Sequence, residues 1–124
     1  MAINKNTFEY QIALLMIVAA GADGNFSGEE LNAISDNLNG LFVALKVNQN
    51  SIIYLKEALT EIGSSTEQKL VEEINIALNF LKKTFEPNVL QDIYNILKEV
   101  ASADGLAEDE ANFLKDVQNI WKLS

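Results

Sequence analysis

The residues of this chain best suited to chemistry are two Asp-Gly pairs, each followed by an acidic cluster. They sit in Ala20-Gly21-Ala22-Asp23-Gly24 and Ala101-Ser102-Ala103-Asp104-Gly105, with 81 residues between the two aspartates (104 − 23). Carboxylate oxygens are hard ligands suited to calcium or magnesium. Neither loop suffices alone. In an EF-hand frame, Asp23-Gly24 would take the fifth and sixth positions and Glu30 the twelfth. Ala19 and Gly21 then fall on the first and third, where they offer no side-chain oxygen. The second copy places Val100, Ser102 and Ala111 at the corresponding ligand positions. A cation site is therefore expected only if the two ends of the chain converge, with Asp23, Glu30, Asp104 and Glu110 sharing one divalent ion. Its affinity would be weak, about 10⁻⁴–10⁻³ M, because backbone carbonyls and water must complete the shell.

The same residues have a structural explanation. Asp before Gly at a helix end makes sound turn chemistry, since Asp bonds nearby backbone N–H groups and Gly supplies positive φ. Glu29, Glu30, Glu108, Asp109 and Glu110 open helices, where a negative charge contributes about 0.3–1 kcal/mol. On this alternative the chain is a protein–protein interaction module whose Asp-Gly loops only shape the fold.

Absences narrow the chemistry further. The 124 residues include no Cys, no His and, since all nine basic residues are lysines, no Arg. That removes thiolate and imidazole chemistry, zinc sites of the usual ligands, and the guanidinium fork that grips phosphate. A Ser–Lys dyad and a hydrolase built only from carboxylates are the remaining enzymatic options, and a non-enzymatic role is expected. The net charge of −9 repels nucleic acid, so no nucleic-acid partner is expected. It repels anionic lipid surfaces as well. Lys5, the apolar run from Ile12 to Ala20 and the small residues after it imitate a secretory signal. Glu9 in the supposed positive region and the matching helix end at Ala101 speak against one. No apolar run approaches the roughly 18–20 residues that span a bilayer, so no transmembrane segment is expected and the protein is expected to be cytoplasmic.

The elements that must position these residues all read as helical. A compact all-α bundle of about seven helices is expected over residues 1–124 as one domain, with apolar content of 48% supplying its core. A first helix over 7–21 carries Phe8, Ile12, Leu15, Met16 and Ala19 on one face. Ser27 and Glu30 form a capping box for a second, with Leu31, Ile34 and Leu38 as its stripe. Asn39-Gly40 predicts a break and 41–47 a short buried helix. Further helices are predicted over 51–62 and 66–85, the latter capped by Ser65 and Gln68 after a stop at Gly63-Ser64. Pro87 opens the next, carrying Leu90, Ile93, Tyr94, Leu97 and Ala101. The last covers 108–123 and is expected to pack on the first helix or on the one Pro87 opens, shielding Trp121.

Aligning Asp23 with Asp104 reveals an internal pseudo-repeat of helix–loop–helix units at the two ends. Ile12 falls against Ile93, Leu15 against Ile96, Met16 against Leu97 and Ala20 against Ala101. Past a one-residue shortening, Glu30 meets Glu110 and Ile34 meets Leu114. The stretches VAAGADGNFSGEEL and VASADGLAEDEANFL resemble the tellurite-resistance protein B (TerB) family and its TerB-like relatives. The likeness is concentrated in these two stretches; residues 40–85 contribute no motif. The resemblance implies an all-helical domain of roughly seven helices, a role in resistance to tellurite and other stresses, and divalent-metal binding through acidic residues. Carried over residue by residue, these are Asp23 and Glu30 in the first motif and Asp104 and Glu110 in the second. The shortening after Gly105 departs from the first motif and bears on Glu110. TerB-like domains also serve as interaction modules in larger proteins, so a protein partner is implied as well.

Overall fold

A computed structural model describes residues 7–21, 28–102 and 108–123, with the side chains of Glu30 and Asp109 outside that description. Six helices account for nearly all of it: α1 (Phe8–Ala19), α2 (Gly28–Ala44), α3 (Ile52–Ser64), α4 (Glu67–Thr84), α5 (Pro87–Ser102) and α6 (Glu108–Trp121). Among the described residues there is no strand. The all-α class holds, and the described residues form six helices rather than about seven.

The difference lies in α2. The expected break at Asn39-Gly40 is absent and the helix runs through both residues. A glycine inside a helix costs only about 1 kcal/mol, and Leu38, Leu41 and Phe42 are buried on either side of it. Asn39 meets its turn-forming tendency differently. Its Oδ1 accepts the Ser51 N–H at 2.8 Å, which caps the start of α3 from a distance. The helix ends in a Schellman turn: Val47 N–H donates to Phe42 O and Lys46 N–H to Val43 O, with Lys46 at φ 63°.

α1 is the centre of the bundle. Tyr10 to Ile17 and Ala19 are all buried, and every other helix packs against it. The single apolar face expected for this helix is thus a full circumference. A helix apolar all round must be enclosed on all sides, and the signal-like run is the bundle's core strut. Thr7 caps it by accepting the Tyr10 N–H.

Between α3 and α4 the cap falls one residue later than predicted. Gly63 and Ser64 stay helical, Ser65 Oγ donates to Glu61 O at 2.7 Å, and Thr66 accepts the Lys69 N–H at 3.2 Å. Pro87 opens α5 as expected. Trp121 is buried, but its Nε1 donates to Leu78 O of α4 at 2.8 Å. The closing helix packs on α5 and α1 as expected, and the indole hydrogen bond adds a tie to α4.

The pseudo-repeat is clearer in sequence than in packing. α5 and α6 are close neighbours, whereas α1 leans chiefly on α3 and α4 and only lightly on α2. The physical reason is the difference in apolar surface. α5 buries one stripe, Leu90-Ile93-Tyr94-Leu97-Val100-Ala101, and two or three neighbours cover it. α1 needs five.

Candidate functional site

The end of α1 is the described part of the first motif. Ala20 N–H donates to Met16 O at 3.0 Å and Gly21 N–H to Val18 O at 3.1 Å, closing the helix. Gly21 then turns into the left-handed region at φ 90°, which L-residues with a Cβ adopt at a cost. The chain continues from there to Asp23.

Glu110 of the second motif lies over this turn. A Cβ placed on Gly21 would sit 3.7 Å from Glu110 Oε1 and 3.8 Å from its carboxyl carbon. Glu110 is the third residue of α6 and half-buried. A glycine at 21 therefore gives the backbone its turn and leaves the carboxylate its space. The N-terminal motif's helix end and the C-terminal motif's acidic cluster are side by side.

Of the four residues singled out from the sequence, Glu110 alone has a described side chain. Glu30 is the third residue of α2, with its side chain outside the described residues, and Asp23 and Asp104 lie outside them altogether. The Ser27–Glu30 capping box falls outside in the same way. Among the described residues, no three carboxylates are grouped so as to hold a metal ion.

Neither α1 nor α5 carries a basic residue in its last turn, so the negative end of each helix dipole lacks a cationic side chain of its own. Both motifs follow these helix ends.

Two polar features escaped the sequence reading. In the first, Ser35 and Ser51 are buried and share a hydrogen bond of 2.8 Å between their hydroxyls. Ser51 Oγ donates to Ser35 O at 3.0 Å, and Asn39 Nδ2 reaches Ser35 Oγ at 3.4 Å. This clasp ties α2 to α3 and is satisfied within itself. The i, i+4 spacing of Ser35 and Asn39 was the available signal, but their partner is sixteen residues from Ser35 along the chain.

The second feature is Tyr10, a buried phenol in the core helix. Burial, with added repulsion from Glu61, Glu73 and Glu57, pushes its pKa well above the ordinary 10. It stays protonated at physiological pH. Its neighbours come from α3 and α4, so no local pattern announces the arrangement.

The described residues also form shallow surface grooves. One, of about 380 Å³, lies between α2 and α5 and is lined by Gly40, Leu41, Ala44 and Ile96 among others. Another, of about 280 Å³, lies between α4 and α6 over α1. No helix among the described residues is long and apolar enough to cross a membrane.

Compared with known proteins, residues 9–124 match the family model described as tellurite resistance protein TerB, from α1 through α6. No curated protein and no solved structure matches the chain.

Proposed function

The chain belongs to the tellurite resistance protein TerB family, and from that premise we propose that it is a non-enzymatic stress and tellurite-resistance module holding a divalent cation where its two motif loops meet. Calcium or magnesium would be held by Asp23, Asp104, Glu30 and Glu110. Backbone carbonyls and water complete the shell.

The observation that carries this reading is the nearness of the Glu110 carboxylate to Gly21, 3.7 Å from where a Cβ would stand. It places the end of one motif helix against the acidic cluster of the other, and convergence is what a site with two insufficient loops requires. Asp23 follows Gly21 by two residues and Asp104 follows the end of α5 by two. The absence of thiol and imidazole from the chain leaves oxygen as the ligand chemistry.

The test is thermal melting of wild type and Asp23→Ala/Asp104→Ala across a calcium or magnesium titration. Cation binding to the native state stabilises by RT ln(1 + [L]/Kd), about 2.7 kcal/mol at a hundredfold excess over Kd. A rise in Tm in wild type that the double variant lacks supports the site. Equal responses in the two proteins would reduce the Asp-Gly loops to structural turns and leave an interaction module.

A further inference from the structure

Asn39-Gly40 is the one Asn-Gly pair in the chain, and it sits inside α2 rather than in the turn its composition suits. Asparagine carries a chemically fragile amide, and a glycine after it leaves the next peptide nitrogen unshielded by any side chain. Gly40 is exposed, with nothing within 4 Å of where a Cβ would stand. Water and base therefore reach the peptide unit that such a reaction uses.

Two features of the fold hold the reaction off. Gly40 is interior to a helix, so its N–H points along the axis to the carbonyl four residues back, away from the Asn39 side chain. The Asn39 amide is also tied at both ends. Its Oδ1 accepts the Ser51 N–H at 2.8 Å and its Nδ2 donates to Ser35 Oγ at 3.4 Å. Ser35 and Ser51 are themselves buried and bonded to each other. The amide swings towards Gly40 only when the clasp between α2 and α3 parts.

We propose that Asn39 is a site of spontaneous deamidation, gated by local opening of α2 and of its clasp to α3. In the open state the Gly40 nitrogen gives up its proton and attacks Asn39 Cγ. A C–N bond forms, and the side-chain nitrogen leaves as ammonia. Water, the one co-reactant, then opens the five-membered succinimide at either carbonyl. One opening leaves aspartate at position 39; the other leaves isoaspartate, with the backbone routed through the side-chain carbon. The two products differ in consequence. Aspartate loses the donor to Ser35 but keeps an oxygen for the Ser51 N–H, at the start of α3 where negative charge is favourable. Isoaspartate adds a methylene to the backbone between Leu38 and Leu41, both buried, and breaks the helical ladder there. The modification thus records how often α2 has opened.

The test follows the full chain in mildly alkaline buffer with EDTA, which keeps it apart from the cation reading. Wild type, Ser35→Ala and Gly40→Ala are each incubated folded and in urea, and amide-to-acid conversion at Asn39 is read by mass spectrometry of proteolytic fragments. Wild type should react about tenfold or more slowly folded than in urea, because only the open fraction reacts. Ser35→Ala removes the acceptor of the Asn39 amide and should speed the folded reaction severalfold, with the urea rate unchanged. Ser51→Ala cuts the same clasp while leaving the Ser51 N–H in place, and gives the reading if Ser35→Ala does not fold. Gly40→Ala should slow the reaction in both conditions. Equal rates folded and unfolded, a folded rate unchanged in both clasp variants, no slowing in Gly40→Ala, or faster conversion of another asparagine in urea would overturn the proposal.

Discussion

Replacing Gly21 by alanine tests the turn that brings the two motifs together. Its φ of 90° lies in the region favouring glycine, and holding an L-residue in a left-handed conformation costs roughly 1–2 kcal/mol. Against this, alanine restricts the unfolded chain, which returns about 0.4–1 kcal/mol. The new methyl itself meets Glu110 Oε1 at 3.7 Å, an ordinary contact without a clash. It does shield one side of a half-buried carboxylate from water, and that adds to the cost. The net expectation is a destabilisation of about 1 kcal/mol, equivalent to roughly 3–5 °C in Tm for a chain of this length. Urea unfolding measures it directly, provided the slope with denaturant is unchanged. Repeating the substitution in a Glu110→Ala background isolates the methyl–carboxylate contact from the backbone cost. If Gly21→Ala is neutral or stabilising, the α1 terminus does not turn as described and the convergence of the motifs loses its support.

Trp121→Ala should destabilise by about 3–5 kcal/mol, since it empties a buried site and removes the bond to Leu78 O; chemical denaturation measures the loss. Gly40→Ala should stabilise by about 0.5–1 kcal/mol, because nothing lies within 4 Å of the added Cβ in an uninterrupted helix; a lowered Tm would restore the break predicted there. Tyr10 predicts alkaline sensitivity. Its native pKa is raised above the ordinary 10, so its contribution is complete below pH 10 and drains as pH rises beyond that, where only the unfolded state ionises. Tyrosinate absorbance followed against pH should show Tyr10 ionising together with unfolding, and Tyr10→Phe should diminish that step.

What the sequence made legible was whatever is written locally. The stripes of α5 and α6, the opening of α5 by Pro87 and the family motif each follow from residues within a few turns of one another. Most of what the sequence misplaced depends on packing rather than on the local pattern. Asn39-Gly40 carries the composition of a turn, yet Asn39 spends its side chain on Ser51, twelve residues away, and buried neighbours outweigh the glycine. The role of α1 at the centre was present in its all-apolar composition, but a one-face reading of its periodicity concealed it. Ser65 and Thr66 are both competent caps, and the choice fell to Thr66 because Ser65 Oγ turns back to Glu61 O. Tyr10 meets carboxylates from α3 and α4, a grouping that exists only after packing. For the candidate site, the duplicated motif marked which residues to watch, and the nearness of Gly21 to Glu110 brings its halves together.

The central claim is that the two motifs act as one cation site. It is tested most directly by following the Gly21 and Glu110 amides by NMR during a calcium titration of the full chain. Both should shift along one saturable curve with a Kd of about 10⁻⁴–10⁻³ M, and both responses should vanish in Asp23→Ala/Asp104→Ala. Shifts confined to one of the two residues, or retained in the double variant, would contradict it.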